Sequence, residues 1–363
     1  MVRLGDVLDY EQPTKYIVQS TNYNDTYKIP VLTAGQSFIL GYTNENDNIF
    51  TDNLPVIIFD DFTTAIKFVN FPFKVKSSAM KILKARSNAN IKYLYYYMSQ
   101  IKTDTELHKR YWISMYSNIP IPLPPLPVQQ KIADVLDQAS ALIEKRKAQI
   151  EKLDLLVKAQ FVEMFGDPVT NPMGWEMKPI KDFATVRIGP FGNLLHADDY
   201  IKNGIPIVNP SHIIDGKIVV DHNLSLTIEI YEALIDYSLQ TGDVVLGRRG
   251  EIGRCAVVDN KIYLCGTGSM FIRIQQDYLP LVLQRVISSD GMRKVLENEA
   301  VGVTMMNLNA GTIANLNVII PPLPLQTRFA DFVQQVDETK NSMQKGLEEL
   351  ELGYKALMQG YFG

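Results

Sequence analysis

Cysteine is nearly absent: Cys255 and Cys265 are the only two in 363 residues. They sit ten positions apart, with no CxxC pair and no cluster of histidines beside them. That argues against a disulfide framework and against a structural zinc site, and the two thiols read as free and reduced. The four histidines, His108, His196, His212 and His222, are scattered and form no ligand set. No apolar run approaches the roughly 18 residues a membrane span needs. The N-terminus, MVRLGDVLDY, is charged and has no signal-peptide core. An intracellular, cytoplasmic protein is the expectation. An excess of positive charge is missing too, since the formal net charge is −4. Motifs for common chemistries are equally scarce. There is no GxxxxGK[ST] phosphate loop, no HExxH helix and no GxSxG elbow. The glycines of GTGSM at Gly266 lack the flanking lysine of a phosphate loop.

What the chain does have is a repeat. PPLPVQQKIAD begins at Pro124 and PPLPLQTRFAD at Pro321, 197 positions later. Aligned without a gap, Pro124–Gly166 faces Pro321–Gly363, and 15 of the 43 positions are identical. An ungapped register over that length predicts a rigid element, because loops tolerate insertions and helices do not. Apolar residues in both copies recur in steps of three and four. The first seam is Ile132, Leu136, Ala139, Ile143, Ile150, Leu153 and Val157. The second is Phe329, Val333, Val336, Met343, Leu347, Leu350 and Tyr354. This is coiled-coil spacing. A helix from Pro127 to Phe165 is about 58 Å long at about 1.5 Å per residue, and its apolar stripe needs a partner. The other copy is the natural one. Arg146 interrupts the first seam and Lys340 the second, at different places, as residues that fix register do.

Between the helices lie two segments that read as short strands broken by turns, each closing in a helical stretch. They are not close copies of each other, so the chain repeats its rods and varies its heads. The expected boundaries are 1–122 for the first head, 123–166 for its helix, 167–174 for a linker, 175–319 for the second head and 320–363 for the last helix. Charge is segregated: Phe62–Ile113 holds ten Lys or Arg, two acids and ten aromatics. Interleaved basic and aromatic residues suit contact with phosphates and bases, although a solvated basic face over a tyrosine-rich core writes the same pattern. In LGRRGEIGRC, Arg248 and Arg249 sit between glycines on a tight turn, where a guanidinium fork could meet guanine or phosphate, or an acidic neighbour.

PPLPVQQKIADVLDQASALIEKRKAQIEKLDLLVKAQFVEMFGDP resembles the central conserved region of specificity subunits of type I restriction–modification enzymes. NVIIPPLPLQTRFADFVQQVDETKNSMQKGLEELELGYKALMQGYFG is similar to their distal conserved region. IGPFGNLLHADDYIKNGIPIVNPSHI, GDVVLGRRGEIGRCAVV, IPVLTAGQSFILGYTNE and VIIFDDFTT are similar to parts of their target-recognition domains. The resemblance implies an α+β fold: two mixed, β-rich α/β target-recognition domains held apart by two long antiparallel coiled-coil helices, as a pseudo-twofold internal repeat. It also implies a non-catalytic subunit whose heads each read half of a split target in double-stranded DNA. Two methyltransferase subunits would bring S-adenosylmethionine, motor-nuclease restriction subunits would use ATP and Mg, and this chain would bind no cofactor or metal itself. The absence of an NPP[FY]-like base-holding loop fits that division. Candidate DNA contacts under the resemblance are Thr33, Gln36, Ser37, Lys74, Lys76, Ser77, Ser78, Lys81, Asn209, Ser211, His212, Arg248, Arg249 and Ser269. Two other readings stay open: a specificity chain of another restriction class with the same fold, and a coiled-coil scaffold whose heads bind proteins.

Overall fold

The computed structural model describes residues 1–33, 37–101, 111–250, 252–300 and 307–363. The chain divides into two units. Unit 1 comprises Met1–Gln149 and Met343–Gly363, and unit 2 comprises Ile150–Ser342.

In unit 1 the two larger sheets are built from β1 (Leu8–Glu11), β2 (Ile29–Leu32), β3 (Ile39–Thr43), β4 (Val56–Asp60), β5 (Ile66–Val69), β6 (Lys74–Val75) and β7 (Met80–Ala85), followed by helix α1 (Ile91–Ser99). They form an antiparallel sheet in the order β1-β7-β4-β5 and a second sheet in the order β3-β2-β6, in which β2 and β6 run parallel. Strand β4, VIIFD, is buried at every residue. Its alternate side chains enter two cores: Ile57 and Phe59 pack with Tyr93, Leu94 and Trp112, while Val56 and Ile58 pack with Phe50, Phe73 and Val75. Burial on both faces explains why the strand reads as a continuous apolar run rather than an alternating one.

Unit 2 repeats this plan with other residues. Its two four-stranded sheets are built from β8 (Ala184–Ile188), β9 (Ile205–Val208), β10 (Ser225–Leu226), β11 (Ser238–Leu239), β12 (Val244–Gly247), β13 (Cys255–Val257), β14 (Tyr263–Cys265) and β15 (Ser269–Ile274). One sheet has the order β8-β15-β12-β13, and the other, β10-β9-β14-β11, contains the parallel pair β9 and β14. Val244 and Leu246 of β12 face one core and Val245 the other. The strand orders of the two antiparallel sheets therefore match one for one.

The repeated segments are the helices α2 (Leu126–Phe165) and α5 (Leu323–Phe362), of 40 residues each. Pro127 and Pro324 sit in their first turns, where a missing N–H leaves no intrahelical bond unmade. Within unit 1, Ile132 and Leu136 of α2 pack with Tyr354, Leu357 and Met358 of α5, and Lys147 pairs with Glu351 at 3.0 Å. Within unit 2, Phe161 and Phe165 of α2 meet Phe329 of α5 at ring-centroid distances of 5.5 and 5.4 Å. In each unit the partner number falls as the α2 number rises, so the pairing is antiparallel. Ile132, Leu136, Ile143, Ile150, Val157, Phe329, Val333, Val336 and Leu347 are buried. Ala139, Leu153, Met343, Leu350 and Tyr354 are half-buried along the same stripe. Of the two polar interruptions, Arg146 lies over Gly346, whose missing side chain leaves it room, and Lys340 donates to Asp154 at 2.6 Å.

The start of each helix is tied to its head by the same residue of the repeat. Gln129 is fully buried; its Nε2 donates to the Pro124 carbonyl at 2.7 Å, and its Oε1 accepts from the Asn90 amide at 2.8 Å. Gln326, also fully buried, donates to the Pro321 carbonyl and accepts from the Leu279 amide, both at 2.8 Å. Asn90 and Leu279 are the residues just before α1 and before α3 (Pro280–Ser288), which α4 (Asp290–Glu299) follows.

Candidate nucleic-acid interface

Strand directions decide where the polar candidates fall. In unit 1 the C-terminal ends of β1, β2, β4 and β6 and the N-terminal ends of β3, β5 and β7 share one edge, because residues 76–79 join β6 directly to β7. Thr33, Ser37, Lys76, Ser77 and Ser78 lie on that edge. Backbone bonds close it: Lys76 N–H donates to the Leu32 carbonyl at 2.8 Å, and Asp61 N–H to the Ala79 carbonyl at 3.2 Å. Ser37 and Ser78 are exposed; Thr33, Lys76 and Ser77 are half-buried. Lys76 holds its ammonium 5.9 Å from the centre of the Tyr23 ring. Gln36 lies outside the described residues, as do Lys102, Lys109 and Arg110 of the basic window.

The corresponding edge of unit 2 gathers Asn209, Ser211, His212, Arg248, Arg249 and Ser269. Arg248 N–H donates to the Gly268 carbonyl, and Gly189 N–H to the Ser269 carbonyl, both at 3.0 Å. Backbones approach closely here. A Cβ on Gly189 would stand 2.0 Å from the Gly266 carbonyl oxygen, and one on Gly266 would stand 2.1 Å from Asn209 Oδ1. Only glycine fits at either place. Ser211 and Arg249 are exposed, and Asn209 and Arg248 are half-buried. Arg248 Nε donates to Asn307 Oδ1 at 3.0 Å. Burial, then the like charge of Arg249, pull the Arg248 guanidinium below its usual range, though an arginine stays cationic. Two adjacent cations on one turn favour an anion or a hydrogen-bond acceptor arriving from outside.

Four of the candidates do not stand as surface contacts. Lys74 is 1% exposed, paired with Glu45 at 2.9 Å and donating to the Asp47 carbonyl at 2.8 Å. Lys81 is 2% exposed and paired with Asp61 at 3.4 Å. A buried ammonium must be paired, so both lysines are structural, which corrects their assignment to phosphate contact. His212 is buried, and its Nδ1 lies 2.7 Å from the Ile207 carbonyl. The same nitrogen lies 3.3 Å from the Asn209 amide, so the ring clasps its own turn. Ser269 is fully buried behind the edge, and its Oγ has no partner among the described residues.

The basic window is also less free than its composition predicts. Lys84 pairs with Glu11, Arg86 with Asp9 and Lys92 with Asp137, in addition to Lys74 and Lys81. Burial alone would raise the Glu11 carboxyl, but hydrogen bonds from Lys84, Tyr16 and Lys15 overcome it and hold the group at about 2. Two exposed aromatics at these edges are not among the candidate DNA contacts. Phe62 follows β4 and is 46% exposed, and Phe191 follows β8 and is 59% exposed. Phe62 is legible as a large apolar residue in a turn straight after a fully buried strand; the strand before Phe191 is only partly buried and gives no such signal.

The family model for the type I restriction modification DNA specificity domain matches residues 1–152 and again 172–352. The specificity subunit of the type I restriction enzyme EcoR124I/EcoR124II of Escherichia coli is 31% identical, over 97% of this chain and 90% of the relative. The MjaVIII specificity subunit of Methanocaldococcus jannaschii is 22% identical, over 99% of this chain and 90% of the relative. Among solved structures, the S subunit of a type I restriction–modification system from M. genitalium superposes with a TM-score of 0.61 at 12% identity. It covers 99% of this chain and 95% of that one. A chain from a study of type I complex assembly and conformational transition gives 0.57 at 16% identity, covering 99% and 96%.

Proposed function

The chain belongs to the type I restriction–modification DNA specificity domain family, and on that premise we propose that it is the subunit that reads the DNA target of such a system. Each head reads one half of a bipartite site in double-stranded DNA with the strand-end edge described above. The paired helices set the separation of the half-sites and carry two methyltransferase subunits, which bring S-adenosylmethionine. Restriction subunits using ATP and Mg join through those partners. The chain itself recognises and does not catalyse, and works in the cytoplasm, where its DNA target is. Among the described residues no helix is long and apolar enough to cross a membrane.

The observation that carries this reading is the double match of the family to two halves whose heads share one topology despite unlike sequences. Repeated scaffolds with varied surfaces suit two readers of different half-sites. The protein-binding scaffold has no comparable support, because the edges carry mostly small polar groups and cations, with single exposed aromatics rather than a contiguous apolar patch. The test is to co-express the chain with its methyltransferase subunits and map methylated adenines genome-wide. A split motif with one methylated adenine in each half is the expected result. A continuous motif, or methylation that persists without this chain, overturns the reading.

A further inference from the structure

The turn after the central strand is built alike in both heads, and one exposed position of it differs in chemistry. Three backbone features align the two turns. Asp60 faces Met80 across the sheet as Gly247 faces Ser269. Asp60 N–H donates to the Ala65 carbonyl at 2.8 Å, as Gly247 N–H donates to that of Arg254 at 3.0 Å. Asp61 N–H bonds the Ala79 carbonyl as Arg248 N–H bonds that of Gly268, and Ala79 and Gly268 each precede the facing residue. Asp61 therefore corresponds to Arg248, and Phe62 to Arg249.

The first position of each pair is used internally. Asp61 is 3% exposed, pairs with Lys81 and accepts the Trp112 amide at 2.8 Å; Arg248 donates to Asn307. The second position faces solvent in both heads: Phe62 is 46% exposed and Arg249 is exposed with no ion pair among the described residues. Solvent exposure of a phenylalanine contributes nothing to folding, and Arg249 is not needed to neutralise a buried acid.

We infer that this position is a base-reading residue in each head, with Phe62 meeting an apolar base edge and Arg249 a guanine. The chemistry follows from the side chains. In the major groove the apolar feature is the C5 methyl of thymine, which an aromatic ring contacts without hydrogen bonds. A guanidinium fork donates twice to O6 and N7 of guanine, an arrangement no other base offers. A backbone frame that holds one side chain at the same place while the residue changes lets each head alter one base without altering its fold. The inference rests on the reading of the chain as the DNA-recognising subunit.

Phe62→Ala and Arg249→Gln, each in the full chain with its methyltransferase partners, test it by genome-wide mapping of methylated adenines. Glutamine pairs with adenine N6 and N7. Arg249→Gln should therefore change one position of one half-site from guanine to adenine, with methylation of the original sites falling about tenfold or more. Phe62→Ala should relax one A·T position of the other half-site. Both half-sites unchanged, with rates within about twofold of the parent, overturns the inference. A uniform fall at every site with neither half-site altered also overturns it, because that is the signature of a phosphate contact. Loss of the split motif by the unsubstituted chain is a different failure, that of the functional reading itself.

Discussion

The two units use one backbone plan with opposite internal chemistry. Central strands β4 and β12 occupy the same place in sheets of the same order. Each is flanked by a buried carboxylate with a cation across the sheet, after the strand in unit 1 (Asp61) and before it in unit 2 (Asp243), and the arrangements differ. In unit 1, Asp61 and Lys81 are both almost fully buried, at 4% and 2% side-chain exposure. In unit 2, Asp243 is buried but Arg273 is 28% exposed and holds the carboxylate through two bonds, of 2.9 and 2.7 Å. The helix roots do not differ: Gln129 and Gln326 perform the same two jobs. What is kept identical is thus what joins helix to head through backbone groups. Side chains within the heads exchange freely, provided strand order and turn geometry hold.

The largest expected effect comes from breaking the buried pairs. Asp61→Ala leaves Lys81 charged and dry and removes the acceptor of the Trp112 amide, a loss of about 3–5 kcal/mol. Asp243→Ala leaves Arg273 with water and the Ser238 carbonyl, which its Nη2 already reaches at 3.0 Å, and should cost about 2 kcal/mol. Hydrogen exchange resolved by unit, read alongside denaturant unfolding, measures both. Equal losses would show that exposure of the cation does not govern the difference.

Next in size is the helix root. Gln129→Ala and Gln326→Ala each leave one carbonyl and one amide without their glutamine partner, at about 1–3 kcal/mol. The two short bonds match in kind and length, and Gln129 adds only a long one to the Asn88 carbonyl at 3.3 Å, so the two variants should lose nearly the same stability, each in its own unit. A loss confined to one would mean that the repeat's identity at this position has another origin.

The helices were legible because their register repeats without a gap and their stripe is continuous. The likeness of the heads was not, because strand order is fixed by backbone pairing that any buried apolar residue can serve. Their turns also differ in length: four residues, 61–64, separate the closing bond in unit 1, and six, 248–253, in unit 2. Among the candidate residues, Ser37, Ser78, Ser211 and Arg249 are exposed, and Thr33, Ser77 and Asn209 are half-buried. Lys74 and Lys81 mislead, since FKVKSSAMK gives no sign that two of its three lysines face inward toward acids distant in sequence. Glu45 and Asp61, the partners, are 29 and 20 positions upstream.

The smallest expected effect separates the units by pH. Glu11 of β1 faces Ile82, and the matching position of unit 2, opposite Phe271, is Arg187. Unit 1 therefore carries a titrating carboxylate where unit 2 has a permanent cation. Held at about 2 by bonds from Lys84 at 2.6 Å, Tyr16 at 2.8 Å and Lys15 at 3.2 Å, the group is depressed below the unfolded value of about 4.3. A depressed carboxylate contributes stability above its unfolded pKa and loses it as pH falls toward its folded one. The window is then about pH 4.5 down to 2, and the loss belongs to unit 1. With Glu11 and Lys84 about a quarter exposed, solvent screening keeps the effect near 1 kcal/mol or below. Glu11→Gln should flatten the acid limb of unit 1, measured by hydrogen exchange between pH 5 and 3, and leave unit 2 unchanged. An unaltered acid limb in the variant would assign the loss to other carboxylates of the unit.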